Sequence, residues 1–249
     1  MPDLDLSSVL FVALALAVGG VVKGATGAGS PVVAVPVMAA LFDVRLAVVV
    51  MVMPNVFTNL WQLRQFRAHH LPRGFALKFA AGGALGVIGG TALLAALPGD
   101  TLALILACAV ILYIVLRLAR PSFHLSQDRA QPLAGLAGML GGVLQGAAGI
   151  SAPVALSFLN AMRLERPVFI VTISAFFTAM AVMQVPALVY YGLLTLPLLG
   201  LSTLALAAQA AAMPLGQWAA RHMSARAFDR IILVMLTGLA GQLVYTALT

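Results

Sequence analysis
The sequence predicts an all-α integral membrane protein: a helical bundle of two inverted-topology repeats, each a glycine-broken helical hairpin followed by three transmembrane helices. Three observations predict it. The chain is too apolar to be solvated by water, it carries an internal repeat near half its length, and its basic residues sort to one face only under one membrane topology. Of 249 residues, 62% are hydrophobic and 8% charged, against roughly 25% charged in a soluble domain. Fourteen Lys+Arg and seven Asp+Glu cannot coat a water-facing globule of this length, so lipid must be the main solvent. A soluble enzyme, a nucleic-acid-binding domain and a disordered chain are thereby disfavoured. The net charge of +7 then reads as cytoplasmic loops, with no nucleic-acid partner.

The repeat sets the element order. Gly19-Gly20-Val21-Val22-Lys23-Gly24-Ala25-Thr26-Gly27-Ala28-Gly29-Ser30-Pro31 reads against Gly141-Gly142-Val143-Leu144-Gln145-Gly146-Ala147-Ala148-Gly149-Ile150-Ser151-Ala152-Pro153, an offset of 122 residues. Asp43 falls against Glu165 at the same offset. We therefore divide the chain into a first repeat at 1–120, a cytoplasmic linker at 121–131 and a second repeat at 132–249, all within one membrane domain. The opening segment has Asp3 and Asp5 and no basic residue before its apolar run, which is the wrong sign for a cleaved signal peptide. It is read as part of the fold.

Each half holds four apolar blocks. Residues 6–42 and 132–162 are too long for one crossing and are broken by the glycine clusters, so each is a hairpin of two shortish helices. Length alone leaves open whether these cross fully. The remaining blocks, 44–63, 74–97 and 101–118, then 167–191, 193–220 and 227–248, each suit one span of about 20 residues. If each hairpin enters and leaves on one side, nearly all the basic residues share a face: Arg64, Arg67, Arg73, Lys78, Arg117, Arg120, Arg129, Arg163, Arg166, Arg221, Arg226 and Arg230. Only Lys23 and Arg45 fall elsewhere. That face is the cytoplasmic one and both termini lie outside the cytoplasm. Each half then crosses an odd number of times, which inverts the second against the first, as in many secondary transporters. Trp61, Tyr190 and Tyr191 are expected as interfacial anchors.

Backbone that leaves the helical path inside a membrane is tolerated only where protein buries it or where it lines a cavity. Pro31 and Pro153 suit first helical positions, and Ser30 suits the preceding N-cap. The two helix starts would then face each other with free N–H groups and positive dipole ends, favourable to an anion. Glycines that merely allow close helix packing are the other reading, and we take it for Gly82, Gly83, Gly86, Gly89 and Gly90. Lys23 is the one formal charge deep in an apolar block; it would neutralise an anionic substrate or release a proton during coupling, unless it snorkels to an interface. Gln145 takes its place in the second repeat. Asn55, Thr58, Asn59 and Gln62 form a polar stripe, with Thr172, Ser174, Thr178 and Gln184 in the other half; lining a path and bonding between helices are equally good readings. Asp43 with Arg45, and Glu165 with Arg166, read as loop-end pairs, and Asp229 with Arg230 as a helix start.

The candidate substrate site thus comprises Lys23, Gly24, Thr26, Gly27, Gly29, Ser30, Asn55, Asn59, Gln145, Gly146, Gly149, Ser151 and Gln184. No Ser-His-Asp, His-Glu or paired-carboxylate set lies in the spans, so no catalytic residue is expected and the protein is read as a non-enzyme. His69, His70, His124 and His222 sit in or beside charged loops, and Cys108 is alone, so neither a metal site nor a cofactor is expected. The glycine string also lacks the dinucleotide-binding order.

At Gly20 to Pro36 and Gly142 to Pro153 the chain resembles the TauE/SafE family (TSUP) of sulfite and organosulfonate transporters, whose hallmark is a duplicated glycine-rich hairpin followed by proline. It departs from the family's run of consecutive glycines at Gly27-Ala28-Gly29-Ser30 and at Gly149-Ile150-Ser151-Ala152. The resemblance implies a bacterial-type inner-membrane carrier of sulfite, thiosulfate or an organosulfonate such as sulfoacetate, working by alternating access and open to proton coupling. An anion channel and a non-transport membrane partner subunit stay as rivals. The expected partners are a small anion and the lipid bilayer, with a homodimer left open.

Overall fold
A computed structural model describes residues 6–69, 71–119 and 124–222; the acidic start, the expected last span at 227–248 and the Asp229–Arg230 pair lie outside the described residues. The protein is an all-α integral membrane protein. Its described helices are α1 (Leu6–Thr26), α2 (Ser30–Leu41), α3 (Val44–Gln65), α4 (Arg73–Ala96), α5 (Gly99–Leu118), α6 (Gln127–Ala148), α7 (Ala152–Ala161), α8 (Arg166–Tyr190) and α9 (Leu196–His222). Among the described residues, α1, α3, α4, α5, α8 and α9 are long and apolar enough to cross a membrane, while α2 and α7 are short apolar helices.

Both glycine clusters break their helices. Gly29, with φ 93°, turns α1 into α2, and Gly149, with φ 71°, turns α6 into α7. Left-handed backbone at these two positions is cheap only for glycine. The second half of that hairpin begins with a wide π-helical stretch at Ala152–Leu156, a local form that often accompanies functional sites. Helix α6 starts at Gln127, ahead of the expected 132, and takes Pro132 into its interior.

Helix α3 shows how a break is repaired without water. Pro54 has no N–H, so the carbonyl of Val50 four residues earlier loses its helical donor. Ser202 of α9 donates to that carbonyl at 2.8 Å and accepts from the Met53 N–H at 2.9 Å. One hydroxyl thus satisfies both orphaned groups and pins α3 to α9.

Two helix pairs pack most extensively, α4 with α6 and α1 with α9. A Cβ added at Gly82, Gly86 or Gly90 of α4 would strike the α6 backbone, and one at Gly138, Gly142 or Gly146 would strike α4. Likewise Gly20 and Gly24 face the α9 backbone at Gln209 and Met213, and Gly216 faces Val21. Small residues let membrane helices approach to backbone contact, where dispersion and weak C–H bonding replace the missing hydrophobic drive. Gly89 faces open space.

These contacts also give directions. Gly20 meets Gln209 and Gly24 meets Met213, so α1 and α9 run parallel; Gly82 meets Gly135 and Gly90 meets Val143, so α4 and α6 do too. Arg45 near the start of α3 reaches the carbonyls of Leu94 and Leu97 at the end of α4, so those helices are antiparallel. Val50 and Thr58 of α3 meet Ser202 and Gln209 of α9 in ascending order, so α3 runs with α9. Consequently α1, α3 and α9 point one way and α4 and α6 the other. Lipid-facing side chains such as Leu10, Phe11 and Leu14 are exposed, as are Trp61, Tyr190 and Tyr191. The aromatic core of Phe75, Phe79, Phe158 and Phe176 fills the space between α4, α7 and α8, with Phe79 and Phe176 stacked at 4.3 Å.

Candidate functional site
Lys23, near the end of α1, is 1% exposed and does not snorkel. Its ammonium donates to Asn59 Oδ1 at 2.7 Å and lies 5.6 Å from the centroid of the Phe177 ring. Asn59 in turn donates from Nδ2 to the carbonyl of Asn55 at 2.6 Å, one helical turn back, which fixes the amide with its oxygen toward Lys23. Gln62 donates to the Lys23 carbonyl at 3.3 Å and accepts from Ser174 Oγ at 3.3 Å. The stripe on α3 therefore bonds between helices and, at the same time, forms one wall around the buried cation. Among the described residues the buried polar set holds amides, hydroxyls and this lysine, with no carboxylate.

A second chain of bonds ties the first turn to the bundle. Ser30 donates to Gln209 Oε1 at 2.5 Å, and Gln209 Nε2 reaches Thr58 Oγ1 at 3.5 Å. Ser30 is thus not the N-cap. Gly29 holds that position with left-handed backbone, no side chain caps α2, and Ser30 is the first helical residue. Because the turn needs positive φ just before the helix, glycine displaces serine from the cap, and the hydroxyl is freed for α9. Thr26 stitches the same turn, its one hydroxyl proton within reach of the carbonyls of Val22 and Ala28 and its oxygen accepting from the Ala28 N–H.

The two turns meet. Gly29, Pro31 and Val32 of the first share a narrow gap with Gln145, Ile150, Ser151 and Ala152 of the second, and Phe177 closes one side. Gln145 Oε1 and Ser151 Oγ are buried there without a hydrogen-bond partner among the described residues. Phe177 thus touches both the gap that holds the unsatisfied oxygens and the Lys23 ammonium. Gln184 Nε2 is also buried without a partner among the described residues, about two turns beyond Phe177 along α8.

Other expected site residues fall elsewhere. Gly24 and Gly146 point at the backbones of α9 and α4, so they serve packing; a side chain there would separate the helices. Gly27, with φ 86°, lies against Ile170 of α8. The loop-end pairs resolve differently too. Asp43 caps α3 by accepting from the Leu46 N–H at 2.8 Å, while Arg45 serves the α4 carbonyls. Arg166 donates to the carbonyls of Ala25 and Gly24, satisfying the end of α1 where it breaks. Sequence reading missed Gln209 and Phe177. Gln209 had a signal, a lone amide in an apolar run; Phe177 had none, since one aromatic in an apolar helix looks like any other.

A family model described as Sulfite exporter TauE/SafE matches residues 11–243. No curated protein and no solved structure matches the chain.

Proposed function
The chain belongs to the TauE/SafE sulfite exporter family, a family of membrane transporters, and from that premise we propose that it is a secondary carrier of a small sulfur oxyanion or organosulfonate. Sulfite, thiosulfate and sulfoacetate are the substrates to try first. The observation that carries this reading is Lys23: a buried cation whose described partners are neutral, beside a gap whose own oxygens are unsatisfied. An uncompensated charge inside a membrane costs about 2.5–3.5 kcal/mol even on the mildest scale, and a monoanion at that position offsets the cost. The buried Ser151 hydroxyl, without a partner among the described residues, has a proton to give to an oxyanion oxygen.

The helix pairings support the inverted-repeat reading. Exchanging the halves turns α1–α9 into α6–α4, both glycine-packed and both parallel, while α1 and α6 oppose each other. On this reading the substrate binds near the midplane and one half rocks against the other to expose it alternately. The gathering of Arg64, Arg73, Arg117, Arg163, Arg166 and Arg221 at one set of helix ends supports the reading in which those ends face the cytoplasm from an inner membrane and α1 starts outside.

Counterflow in proteoliposomes tests the reading. A carrier gives saturable uptake of radiolabelled thiosulfate or sulfite that is accelerated by unlabelled anion on the far side. Flux without saturation or such acceleration indicates a channel, and no flux of any anion in the panel rejects transport and favours a partner subunit.

A further inference from the structure
We propose that the gap between the turns selects an oxyanion that brings a hydrogen-bond donor of its own, an O–H or N–H that Gln145 Oε1 accepts. The inference rests on the transport reading for the negative charge of the guest; the donor is read from the walls of the gap. Hydrogen sulfite in its O–H form is the smallest guest of this kind, and a hydroxyalkanesulfonate is a larger one.

The polar groups at the gap fall into two sets. Lys23, whose ammonium lies 5.6 Å from the centroid of the Phe177 ring that walls the gap, has three N–H donors, and Asn59 Oδ1 takes one of them at 2.7 Å. Ser151 adds a hydroxyl that is 2% exposed and without a partner among the described residues. These donors suit the bare oxygens of any oxyanion. Gln145 is different. It is 3% exposed, it lines the gap, and the buried atom left without a partner is its acceptor, Oε1. Other buried amides have this atom paired: Asn59 Oδ1 accepts from Lys23, Gln62 Oε1 from Ser174 and Gln209 Oε1 from Ser30.

A buried acceptor without a donor calls for a reason. Neither water nor a neighbour satisfies it in this state. The walls of the gap lie too close for a water between them, and Ser151 Oγ, on the same gap, does not bond to Gln145. A guest made only of acceptors sets its negative oxygens against Gln145 Oε1 and leaves that atom unpaired, a loss comparable to a missing hydrogen bond. Thiosulfate and sulfate are of this class and enter at that disadvantage. A guest with one donor removes it. The repeat divides the task between the halves: at the offset of 122 residues Gln145 stands where Lys23 stands, so one half presents a cation and the other an acceptor. The way in is a cavity of about 240 Å³ at the ends of α1, α5 and α7, which shares Gly29, Val32 and Leu156 with the gap.

The test compares two monoanions of equal length, isethionate (hydroxyethanesulfonate) and propanesulfonate, which differ by a hydroxyl in place of a methyl. Calorimetric titration into the detergent-solubilised full chain gives the ratio of their affinities at constant charge. In the wild type isethionate should bind more tightly. Gln145→Met keeps the reach of the side chain and removes the acceptor, and the ratio should fall about tenfold, whereas Ser151→Ala should weaken both anions and leave the ratio. A ratio unchanged by Gln145→Met overturns the proposal, as does a ratio that falls only on Ser151→Ala. A wild-type ratio of one or less overturns it without any variant, so the proposal stays refutable if Gln145→Met does not fold. Equal binding of both anions that is lost in Lys23→Met keeps the anion site and rejects the donor. A Gln145-dependent preference in a protein whose vesicles move no oxyanion supports the donor match and rejects transport. Absence of binding for both anions, with no flux, rejects the two readings together.

Discussion
Replacing Lys23 by methionine keeps the length of the side chain and removes its charge, and the structure gives opposite signs for stability and function. On the stability side the variant loses the 2.7 Å bond to Asn59 Oδ1, worth about 1.5–3 kcal/mol for a charged donor, and the contact with the Phe177 ring, about 0.5–2 kcal/mol. It gains relief from burying an uncompensated ammonium, about 2.5–3.5 kcal/mol. These nearly cancel, so the melting temperature should move by only a few degrees. On the functional side, a unit anion about 4 Å from a unit cation gains roughly 4 kcal/mol at an effective dielectric constant of 20. Allowing for solvation lost on entry, uptake at low substrate should fall at least about a hundredfold, since each factor of ten is about 1.4 kcal/mol. Thermal unfolding in detergent and thiosulfate uptake per folded protein in proteoliposomes read the two sides separately. Uptake within a factor of two of wild type, or melting lowered by more than about ten degrees with uptake retained, would falsify the assignment of Lys23 to the substrate.

Other substitutions probe the frame. Gln209→Leu cuts the link from Ser30 through α9 to Thr58 and should cost about 1–2 kcal/mol of stability; a double-mutant cycle with Ser30→Ala should show strong coupling, and additive effects would deny the link. Gly86→Leu drives a side chain into the α6 backbone and should abolish a monodisperse peak in size-exclusion chromatography, whereas Gly89→Ala, facing open space, should leave the peak and melting temperature intact. Gly27→Ala should destabilise by about 1–3 kcal/mol through its φ of 86°, and shortening Ile170 to alanine should relieve the clash but not the backbone strain. Arg166→Gln strips the α1 end of its donors and should lower stability by about 1–3 kcal/mol in thermal unfolding.

The sequence alone made the hairpins, Lys23 and the α3 stripe legible, because each is a local anomaly: glycines in the middle of an apolar block, a charge without a loop, amides at helical spacing. What it concealed was which side of each anomaly faced what. Gly20 and Gly24, or Gly142 and Gly146, recur at a four-residue spacing that is itself the mark of a packing face, so the packing role of Gly24 and Gly146 was readable beside the site role given to them. Ser30 was misplaced by one position because serine and proline suit a cap and first turn so well; only the positive φ at Gly29 shows that glycine takes the cap. Bonds such as Ser202 to Val50 join residues 152 apart in the chain, and no local pattern announces them. The freed carbonyl before Pro54 is readable from sequence, but its donor depends on which helix lies alongside.

The packing also argues for where motion would occur. In α1–α9 and α4–α6 glycines bring backbones into contact, and sliding either pair past the next residue would force Cβ groups into carbonyls; each pair should move as one body. Between α3 and α8 the contacts differ. Gln62 meets Ser174 at 3.3 Å, and Phe177 abuts the gap between the turns with the Lys23 ammonium 5.6 Å from its ring. Amide and hydroxyl bonds of this kind exchange for water or for anion oxygens at little net cost, whereas interlocked glycine faces have no substitute partner. Of these surfaces, the one between α3 and α8, which Lys23 meets at Phe177, is therefore the one whose bonds exchange most readily. A substrate that drew the Lys23 ammonium from the Phe177 ring or took over the Gln62–Ser174 bond would loosen α3 from α8 at the place where it binds, which would couple occupancy to rocking without any separate relay.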